Sequence, residues 1–591
     1  MDAAKEWLEI DFHVPTRTVV QSLVEKADTA SISKMFVPRI AFGTAGLRGP
    51  MGAGYGNMNH ITVMQCTQGI LAYLEKTLGS DEVKARGVVI GYDHRWSATG
   101  VDSEMMARTA AAVCVQRGIK VYLFSSMVAT PLVPFCVKHK RCAAGMMVTA
   151  SHNPKDDNGY KMYGANGAQL CEPHDKSIAG LILEHLKPWA DYGTAIESVR
   201  DSPLCVDILE EAKDAYFKEM AASLCHHAQD NAVSSLPIVY TAMHGVGAPF
   251  TARSFEAFKL KPFFTVSEQN DPDPSFPTVA YPNPEEGKGA LELSFSKALS
   301  VNSPLVLAND PDADRLAVAE LQDGGKWKIF SGNEIGMLLA HWLFRKAVEK
   351  GKSPNKLAVV ASTVSSKMTR ALAEKEGMRF EETLTGFKWI CNKKFDLQQE
   401  GYEVILAFEE SIGFCCGDLV NDKDGVCAAA VFAEMSVQLY KAGKTVSKHL
   451  NDLYESYGHF ISRQGYVLVP NPRLTVEIFD KIRNKSNYPT SVGPYKIAQV
   501  RDLTTGYDSS TADNKTTLPA STSSQHLTFT FENGCIANLR GSGTEPKLKY
   551  YVELHGNDPA KVTETLLDMV KLIVITLLEP ELNGLKWAGV E

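Results

Sequence analysis

The sequence has little that would place the chain in a membrane, in a disulfide-bonded secreted class or on nucleic acid. Its twelve cysteines are scattered with no CxxC pair, which is typical of a reduced chain without a disulfide framework. The N-terminal stretch MDAAKEWLEIDF is acidic and lacks the apolar segment of a signal peptide, and the apolar run at 572–578 is too short to span a bilayer. The net charge of −8 gives no general attraction for nucleic acid or anionic membranes. We therefore expect a cytoplasmic protein without nucleic-acid or membrane partners, and the sequence leaves its oligomeric state open.

Familiar nucleotide-binding and hydrolase motifs are also incomplete. GAGYGN at 52–57 has Asn57 where a dinucleotide loop carries its third glycine. EEGKG at 285–289 has Pro282 where a Walker A loop needs its first glycine. No GxSxG elbow surrounds Ser151. Any anionic ligand must therefore be held by local basic groups of another kind.

A repeated pattern of apolar runs and polar loops predicts the fold class. At 591 residues the chain is long enough for roughly four domains. Amphipathic helical stretches separate the apolar runs, so we expect α/β units with largely parallel sheets and ligands at the strand ends. The C-terminal part instead predicts antiparallel strands with an Asn533–Gly534 hairpin turn, between a helix at 471–484 and a closing helix at 561–578. The runs with their loops are 88–95, 145–154, 238–247, 305–315, 358–367 and 404–413.

The strongest metal signal is DPDADR at 310–315. Asp310, Asp312 and Asp314 lie two residues apart directly after a predicted strand, and crowded carboxylates repel one another unless a cation lies among them. Hard oxygen ligands suit Mg²⁺ or Ca²⁺. An EF-hand does not fit, because Arg315 replaces its glycine and Leu321 its final glutamate. The alternative is a solvated acidic loop.

Ser151, in TASHNPKDDNGYK at 149–161, has three interpretations: nucleophile, helix cap or turn residue. Serine before Asn-Pro is more often a turn or cap residue. Activation by His152 is unfavourable if the segment is extended, because neighbouring side chains then point apart. Asn158–Gly159 predicts a turn that would direct Lys161 back toward the serine. A functional role for Ser151 requires partners from distant loops.

Three further loops could supply such partners. RGSGTEPKLK at 540–549 combines glycines, hydroxyls and two cations, as an anion cradle does, but also suits an ordinary hairpin. FEESIG at 408–413 offers carboxylates and a hydroxyl that could bind the hydroxyl groups of a sugar. The alternative is a solvated loop with a helix N-cap. LTGFKW at 384–389 places Lys388 where it could contact phosphate or donate a proton, or simply extend along the surface.

Taken together, the motifs resemble the α-D-phosphohexomutase superfamily. The ordered set extends over about residues 40 to 570 and is similar to the eukaryotic phosphoglucomutase branch, which includes phosphopentomutases and glucose-1,6-bisphosphate synthases. The resemblance implies three related α/β domains with mixed, largely parallel sheets, and a C-terminal α+β domain, around a central cleft. The implied domains are 1–205 with the phosphoserine loop, 206–328 with the metal loop, 329–457 with the sugar-binding loop, and 458–591 with the phosphate-binding loop. The motifs that carry the resemblance are GTAGLRG (43–49), TASHNP (149–154), DPDADR (310–315), GFKW (386–389), FEESIG (408–413) and RGSGTEPK (540–547).

The resemblance also implies roles for individual residues. Mg²⁺ would bind Ser151, Asp310, Asp312 and Asp314. The catalytic group would be Ser151, His152, Lys388, Arg48 and Lys161, and we favour His152 and Lys388 for proton transfer. Two residues depart from the family pattern and leave the affinity for phosphate open. Gly541 stands where relatives usually carry a residue with a side chain, and Lys549 stands where many relatives have arginine. The substrate contacts would be Arg315, Thr385, Gly386, Glu409, Ser411, Arg540, Ser542, Gly543, Thr544 and Lys549.

The implied reaction is an intramolecular phosphoryl transfer. Phosphorylated Ser151 would donate its phosphoryl group to a sugar phosphate, and the other phosphate of the bound bisphosphate would return to Ser151. We expect a phosphoglucomutase that interconverts glucose 1-phosphate and glucose 6-phosphate, with glucose 1,6-bisphosphate as activator and intermediate. The alternatives are a phosphopentomutase acting on ribose 1-phosphate and ribose 5-phosphate, a glucose-1,6-bisphosphate synthase and, more remotely, a non-catalytic sugar-phosphate-binding protein.

Overall fold

The computed structural model describes residues 1–43, 46–286, 288–522, 524–542, 546–587 and 589, without the side chains of Glu286, Lys288 and Pro472. These residues form two compact units. The first comprises Met1–Val360 and Gly386–Ser447, and the second comprises Ala361–Thr385 and Lys448–Glu591.

A mixed sheet forms the N-terminal part of the first unit. Its strands, β1 to β6, are Leu47–Pro50, Val88–Tyr92, Val121–Leu123, Ala144–Val148, Asp157–Tyr163 and Cys205–Asp207. They lie in the order β1-β5-β4-β2-β3-β6. The pairs β1–β5 and β4–β5 are antiparallel, whereas β2–β4, β2–β3 and β3–β6 are parallel. Because β2 and β4 are parallel neighbours, the loops that follow them, at 93–95 and 149–156, leave the sheet at the same edge.

Helices cover this sheet. The helices α1 to α9 are Asp2–Ile10, Val14–Glu25, Thr29–Phe36, His60–Leu78, Ser80–Arg86, Ser103–Gln116, Leu132–Lys140, His174–Glu184 and Gly193–Glu197. Helix α4 begins at His60 because the Asn59 side chain accepts from the amide of Thr62 at 2.9 Å, while the Thr62 hydroxyl accepts from the amide of Asn59 at 3.1 Å. Helix α4 packs against α6 and α8, and most of its side chains are buried.

The second sheet carries the acidic loop. Its strands, β7 to β11, are Ile238–Thr241, Phe264–Thr265, Leu305–Ala308, Ala317–Leu321 and Trp327–Ile329, in the order β11-β10-β9-β7-β8. The pairs β7–β8 and β7–β9 are parallel, and β9–β10 and β10–β11 are antiparallel. Strand β9 is wholly buried, so the polar residues that follow it emerge directly from the core. The helices of this part, α10 to α13, are Leu209–Leu224, Ala228–Val233, Gly247–Ala257 and Lys288–Ser300.

The next part of the chain again alternates strands and helices. Its strands, β12 to β15, are Leu357–Ser362, Arg379–Thr383, Glu403–Glu409 and Gly413–Cys416. Its helices, α14 to α18, are Gly332–Glu349, Met368–Glu376, Phe387–Gln399, Gly425–Lys441 and Val446–Tyr457. Strands β14 and β15 pair antiparallel, and the connecting loop turns through Ile412 at φ +52°. A Cβ on Gly332 would lie 2.0 Å from the Glu410 carbonyl, so the glycine lets this loop rest on the start of α14.

The C-terminal part is an antiparallel sheet with helices. Its strands, β16 to β22, are His459–Leu468, Ser491–Val492, Tyr495–Asp502, Tyr507–Asp508, His526–Phe531, Ile536–Gly541 and Lys547–Gly556. The order is β16-β22-β21-β20-β18-β17, with β19 on β18. Side chains such as Phe479, Leu527 and Leu566 form one apolar core. The helices α19 to α21 are Pro472–Arg483, Pro559–Ile573 and Pro580–Asn583, and a π turn at Val574–Leu578 follows α20. Short 3₁₀ turns lie at Val199–Asp201, Ser267–Gln269, Pro284–Glu286, Pro354–Lys356 and Asn484–Ser486.

These elements confirm the predicted fold class. Each of the six apolar runs is a strand followed by a polar loop, and the hairpin turn at Asn533–Gly534 is present with Gly534 at φ +83°. The sheets of the first two parts are mixed, because antiparallel strands are added at one side of a parallel centre. All twelve cysteines are free thiols. Among the described residues, no helix combines the length and the apolar character needed to traverse a bilayer.

Two helical glycines provide a test of the α4–α8 packing. A Cβ on Gly69 of α4 would lie 2.4 Å from Cγ1 of Ile182, whereas a Cβ on Gly180 of α8 would meet nothing within 4 Å. We expect Gly69→Ala to lower the free energy of unfolding by about 1–3 kcal/mol through overpacking. Gly180→Ala should raise it by about 0.5–1 kcal/mol, because alanine favours the helix. Denaturant unfolding of both variants measures this, and equal effects would contradict the close helix contact.

Candidate active site

Ser151 lies in a turn at the end of β4 and points at the acidic loop. Its backbone has φ +54°, a left-handed conformation that is uncommon for residues other than glycine. Its hydroxyl donates to Oδ2 of Asp310 at 2.9 Å, and its amide donates to the Thr149 hydroxyl at 2.9 Å. The side chain is almost wholly buried. Ser151 is therefore held by the carboxylate cluster rather than by a helix start.

The expectation that His152 points away from Ser151 is wrong. Nδ1 of His152 lies 3.3 Å from the Ser151 hydroxyl. The expectation assumed an extended segment, and the left-handed turn at Ser151 brings the two neighbouring side chains to the same side. Burial, with the cations of Arg315 and Arg48, holds the pKa of His152 well below its usual range. The imidazole is therefore neutral near pH 7 and is a weaker base than a free histidine.

Asp310, Asp312 and Asp314 form a single cluster, as their spacing predicts. Each offers a carboxylate oxygen within 4.8 Å of the others, and all three side chains are fully buried. Ala313 adopts φ +58°, which tightens the loop. Oδ1 of Asp312 and Oδ1 of Asp314 have no hydrogen-bond partner among the described residues. Buried, unpartnered carboxylate oxygens fit a hard divalent cation such as Mg²⁺, with the Ser151 hydroxyl beside Asp310 as a further oxygen donor.

Side chains from the N-terminal part of the first unit donate to Oδ2 of Asp312. Lys161 donates to Asp312 Oδ2 at 2.9 Å and to Asp314 Oδ2 at 3.0 Å, and the Thr130 hydroxyl donates to Asp312 Oδ2 at 2.7 Å. Burial would raise the pKa of Asp312, but Lys161 and Thr130 hold it below its usual range. Burial and the neighbouring Asp312 and Asp314 carboxylates instead raise the pKa of Asp310. The cluster is thus only partly balanced by cations of the protein.

The predicted turn at Asn158–Gly159 is also wrong. Both residues lie inside strand β5, where Asn158 pairs with Gly49 and Gly159 pairs with Arg48. The tight backbone packing favours glycine, because a Cβ on Gly159 would lie 2.5 Å from the Thr149 carbonyl. Lys161 reaches the aspartates because it stands two residues further on the same face of the strand. Burial lowers the pKa of Lys161, but Asp312 and Asp314 raise it above its ordinary value.

Arg48 and Arg315 flank the cluster. Arg48 donates from Nη1 to the Asn153 side chain at 3.1 Å, and its Nε has no hydrogen-bond partner among the described residues. The Arg315 amide donates to Asp310 Oδ1 at 3.0 Å, and its guanidinium donates to the Ser411 carbonyl at 3.2 Å. Burial alone would lower the pKa of Arg315, but carboxylates that include Asp310 raise it. Arg315 therefore connects the acidic loop to the predicted sugar loop.

The predicted sugar-binding residues lie at the end of β14. Glu409 is its last residue, and burial raises the pKa of Glu409 while the nearby Lys423 opposes that rise. The Ser411 hydroxyl lies 3.4 Å from a carboxylate oxygen of Glu410. Gly386, at φ +104°, directly precedes α16, and Lys388 lies in its first turn with Nζ 5.1 Å from the Trp389 ring centre. Thr385 belongs to the second unit.

Lys423 is a site residue that sequence reasoning missed. Its Nζ lies 3.4 Å from Asp314 Oδ2. Burial alone would lower the pKa of Lys423, but Asp314 and Asp422 raise it above its ordinary value. It stands in DKDG at 422–425, which fails as a calcium loop for lack of ligands. The sequence offers one signal for this residue, which is that Lys423 stands between two aspartates shortly after the predicted sugar loop. A lysine in such a position can form ion pairs with an acidic cluster from another part of the chain.

The predicted phosphate loop lies in the second unit. Arg540 on β21 pairs directly with Lys549 on β22, so both cations stand on one face of the sheet. Ser542 donates its amide to the Lys547 carbonyl at 2.9 Å. Gly543 and Thr544 lie outside the described residues. A Cβ on Gly541 would lie 3.1 Å from Cγ2 of Thr475, so this glycine permits the neighbouring helix to approach.

The site and fold define a class of phosphoryl-transfer enzyme, and comparisons with known proteins agree. The models for the Phosphoglucomutase/phosphomannomutase alpha/beta/alpha domains I, II and III match residues 39–188, 214–324 and 331–457. The chain belongs to the α-D-phosphohexomutase superfamily, and its relatives are mutases and synthases that transfer phosphoryl groups.

Similar full-length relatives carry more than one name. The chain is 46% identical over 593 residues to the phosphopentomutase of Mus musculus, covering 98% of this chain and 95% of that protein. It is 44% identical over 601 residues to the glucose 1,6-bisphosphate synthase of Homo sapiens, covering 100% and 96%. It is 39% identical over 597 residues to the phosphoribomutase of Saccharomyces cerevisiae, covering 95% and 94%. These names favour the pentose and bisphosphate-synthase alternatives over the expected phosphoglucomutase.

Solved structures show the same fold. Parafusin, a phosphoglucomutase from Paramecium, is 16% identical with a TM-score of 0.64, covering 92% of this chain and 95% of that one. A phosphoglucomutase/phosphomannomutase family protein from Burkholderia thailandensis is 17% identical with a TM-score of 0.62, covering 90% and 96%.

The acidic cluster predicts a measurable magnesium response. We expect Mg²⁺ to raise the unfolding temperature of the wild-type protein, because a bound cation relieves the repulsion among three buried carboxylates. Asp312→Asn should raise the Mg²⁺ dissociation constant about tenfold or more, because it removes a charged ligand. Asp323→Asn, at an exposed position, is the matched control. The metal assignment fails if both variants show the same magnesium-dependent shift as wild type.

Proposed function

We propose that this chain is a phosphopentomutase, which interconverts ribose 1-phosphate and ribose 5-phosphate by way of phosphorylated Ser151. One observation carries the chemistry: the Ser151 hydroxyl, buried in a left-handed turn, donates to Asp310 within a cluster of three carboxylates. The pentose preference is supported by relatives named phosphopentomutase, which are 46% identical over 98% of this chain. The phosphoglucomutase activity that the motifs predict would use the same phosphoryl transfer by way of Ser151.

Ser151 is the phosphoryl carrier in this proposal. Its hydroxyl donates to Asp310 of the cluster, and the turn fixes its direction. Mg²⁺, held by Ser151, Asp310, Asp312 and Asp314, would offset the negative charge on the transferring phosphoryl oxygens. Catalysis then consists chiefly of positioning and charge stabilisation, as expected for a loose phosphoryl-transfer transition state.

Protein cations and one neutral base surround the transferring group. Arg48 and Lys161 stabilise its charge, and Lys423 joins them, with its Nζ 3.4 Å from the same Asp314 oxygen that Lys161 contacts. His152, whose Nδ1 lies 3.3 Å from the Ser151 hydroxyl, is our first candidate for proton transfer. Lys388 is our second candidate for proton transfer, toward the sugar hydroxyl.

The sugar and its second phosphate use other loops. Glu409 accepts hydrogen bonds from sugar hydroxyls, and the Ser411 hydroxyl donates or accepts them. Gly386 and Arg315 are further proposed sugar contacts. The phosphate that is not being transferred binds to the paired cations Arg540 and Lys549. Thr385, Ser542, Gly543 and Thr544 complete the proposed substrate contacts.

A second candidate is glucose-1,6-bisphosphate synthase. Relatives with that name match 100% of this chain at 44% identity. The same phosphoserine would serve both reactions, and the difference lies in the donor that replenishes it. A synthase would take the phosphoryl group from an external donor such as 1,3-bisphosphoglycerate, and a mutase would take it from a sugar bisphosphate.

We expect Ser151→Ala to reduce turnover to background while the unfolding temperature stays near that of wild type. The substitution removes the oxygen that accepts the phosphoryl group but little buried volume. Ser177→Ala, at an exposed position in α8, is the control and should be fully active. Steady-state rates with ribose 1-phosphate after priming with glucose 1,6-bisphosphate measure this. Near wild-type rates for Ser151→Ala would remove Ser151 from the mechanism.

A substrate comparison decides between the candidates. Ribose 1-phosphate, glucose 1-phosphate and mannose 1-phosphate are tested with Mg²⁺, with and without glucose 1,6-bisphosphate, and a separate arm supplies 1,3-bisphosphoglycerate with glucose 1-phosphate. We expect kcat/KM for ribose 1-phosphate to exceed that for glucose 1-phosphate by about tenfold, which corresponds to about 1.4 kcal/mol of transition-state binding. Faster synthesis of glucose 1,6-bisphosphate than pentose isomerisation would establish the second candidate instead.

A further inference from the structure

We propose that Arg95 is a positioning residue that fixes the reactive geometry of Ser151. The inference rests on the proposed role of Ser151 as phosphoryl carrier. Arg95 comes from the loop after β2, and Ser151 from the loop after its parallel neighbour β4. The two loops therefore meet at one edge of the sheet.

The Arg95 guanidinium donates hydrogen bonds to four backbone carbonyls of the segment that carries Ser151. Its Nη2 donates to the carbonyls of Ser151 and Asn153, both at 2.7 Å. Its Nη1 donates to the carbonyls of Pro154 at 2.7 Å and Asp157 at 3.0 Å. All four terminal N–H groups are thus used on residues 151–157. The loop has little regular structure of its own, so this single side chain supplies a large part of its hydrogen bonding.

The surroundings of Arg95 hold it rigidly. Its side chain is 1% exposed, and its guanidinium carbon lies 5.3 Å from the ring centre of Phe276. Asp93 accepts from the Arg95 amide at 3.0 Å and lies 3.4 Å from its Nε. The Ser103 hydroxyl donates a hydrogen bond to the same Asp93 carboxylate at 2.5 Å. A buried side chain fixed from several directions can impose a conformation on the loop.

The imposed conformation is the one the reaction needs. Ser151 is left-handed, which a serine adopts only when its surroundings determine it, and this turn directs its hydroxyl at Asp310 and brings His152 to it. The bond from Arg95 to the Ser151 carbonyl fixes the peptide between Ser151 and His152. A lysine at position 95 keeps the charge but cannot span four carbonyls, because its donors radiate from one nitrogen.

The test compares Arg95→Lys with Arg108→Lys. Arg108 is the matched control, because its guanidinium also binds backbone carbonyls in the same domain, those of Ile196 and Glu197, away from Ser151. We expect Arg95→Lys to lower kcat about 100-fold with KM changed less than about twofold, since small misplacement of a reacting atom affects the chemical step. Arg108→Lys should keep kcat, and both should unfold at similar temperatures. Millimolar guanidinium should restore part of the activity of Arg95→Ala and none of the loss in Ser151→Ala.

Amide hydrogen exchange of residues 150–157 provides a measurement that does not depend on activity. Exchange should rise in Arg95→Lys and stay unchanged in Arg108→Lys. Unchanged exchange, or a kcat equal to that of Arg108→Lys, overturns the proposal, as does a loss of activity explained by unfolding. If the wild-type protein accepts no phosphoryl group on Ser151, the proposed function fails, and the exchange measurement alone decides whether Arg95 holds the loop.

Discussion

The mutual repulsion of three buried carboxylates is the constraint around which the first unit is organised. Asp310, Asp312 and Asp314 lie fully buried with two oxygens lacking hydrogen-bond partners among the described residues. Burying several like charges is unfavourable unless opposite charges compensate them. The chain places Lys161, Lys423 and Arg315 around the cluster for this purpose. Each comes from a different sheet or loop, so the cluster holds these elements to one another.

The same constraint explains why the site suits phosphoryl transfer. A cluster of carboxylates selects a divalent cation, and the ring of protein cations selects an anionic ligand. Ser151 stands between them, with a neutral imidazole next to its hydroxyl. A hydrolase would activate the serine through a histidine held by a carboxylate. Here burial and the nearby cations Arg315 and Arg48 lower the pKa of His152, so the imidazole is a weak base and does not activate the serine in that way.

Several site features were predictable because they depend on local sequence. The acidic triplet follows a buried strand, and alternation of side chains along so short a loop keeps Asp310, Asp312 and Asp314 close. Strand–loop alternation likewise predicted the α/β units. The conformation of Ser151 was not predictable, because a left-handed serine arises from contacts made by residues far along the chain. One incorrect expectation, that His152 points away, followed from this. A second, that Asn158–Gly159 forms a turn, was wrong because both residues pair with β1.

By itself the sequence determined six strand-and-loop units with helices between them, the acidic, basic and hydroxyl-bearing loops, and the membership of the superfamily. These follow from periodicity, composition and short motifs, which are properties of neighbouring residues. Only the tertiary structure decided that Lys423 approaches Asp314, that Arg95 binds four carbonyls of the serine loop, and that Gly159 lies within a strand. Those facts depend on which strands pair and which loops meet at a sheet edge. The physical reason is that long-range contacts select side-chain directions which the local chain leaves open.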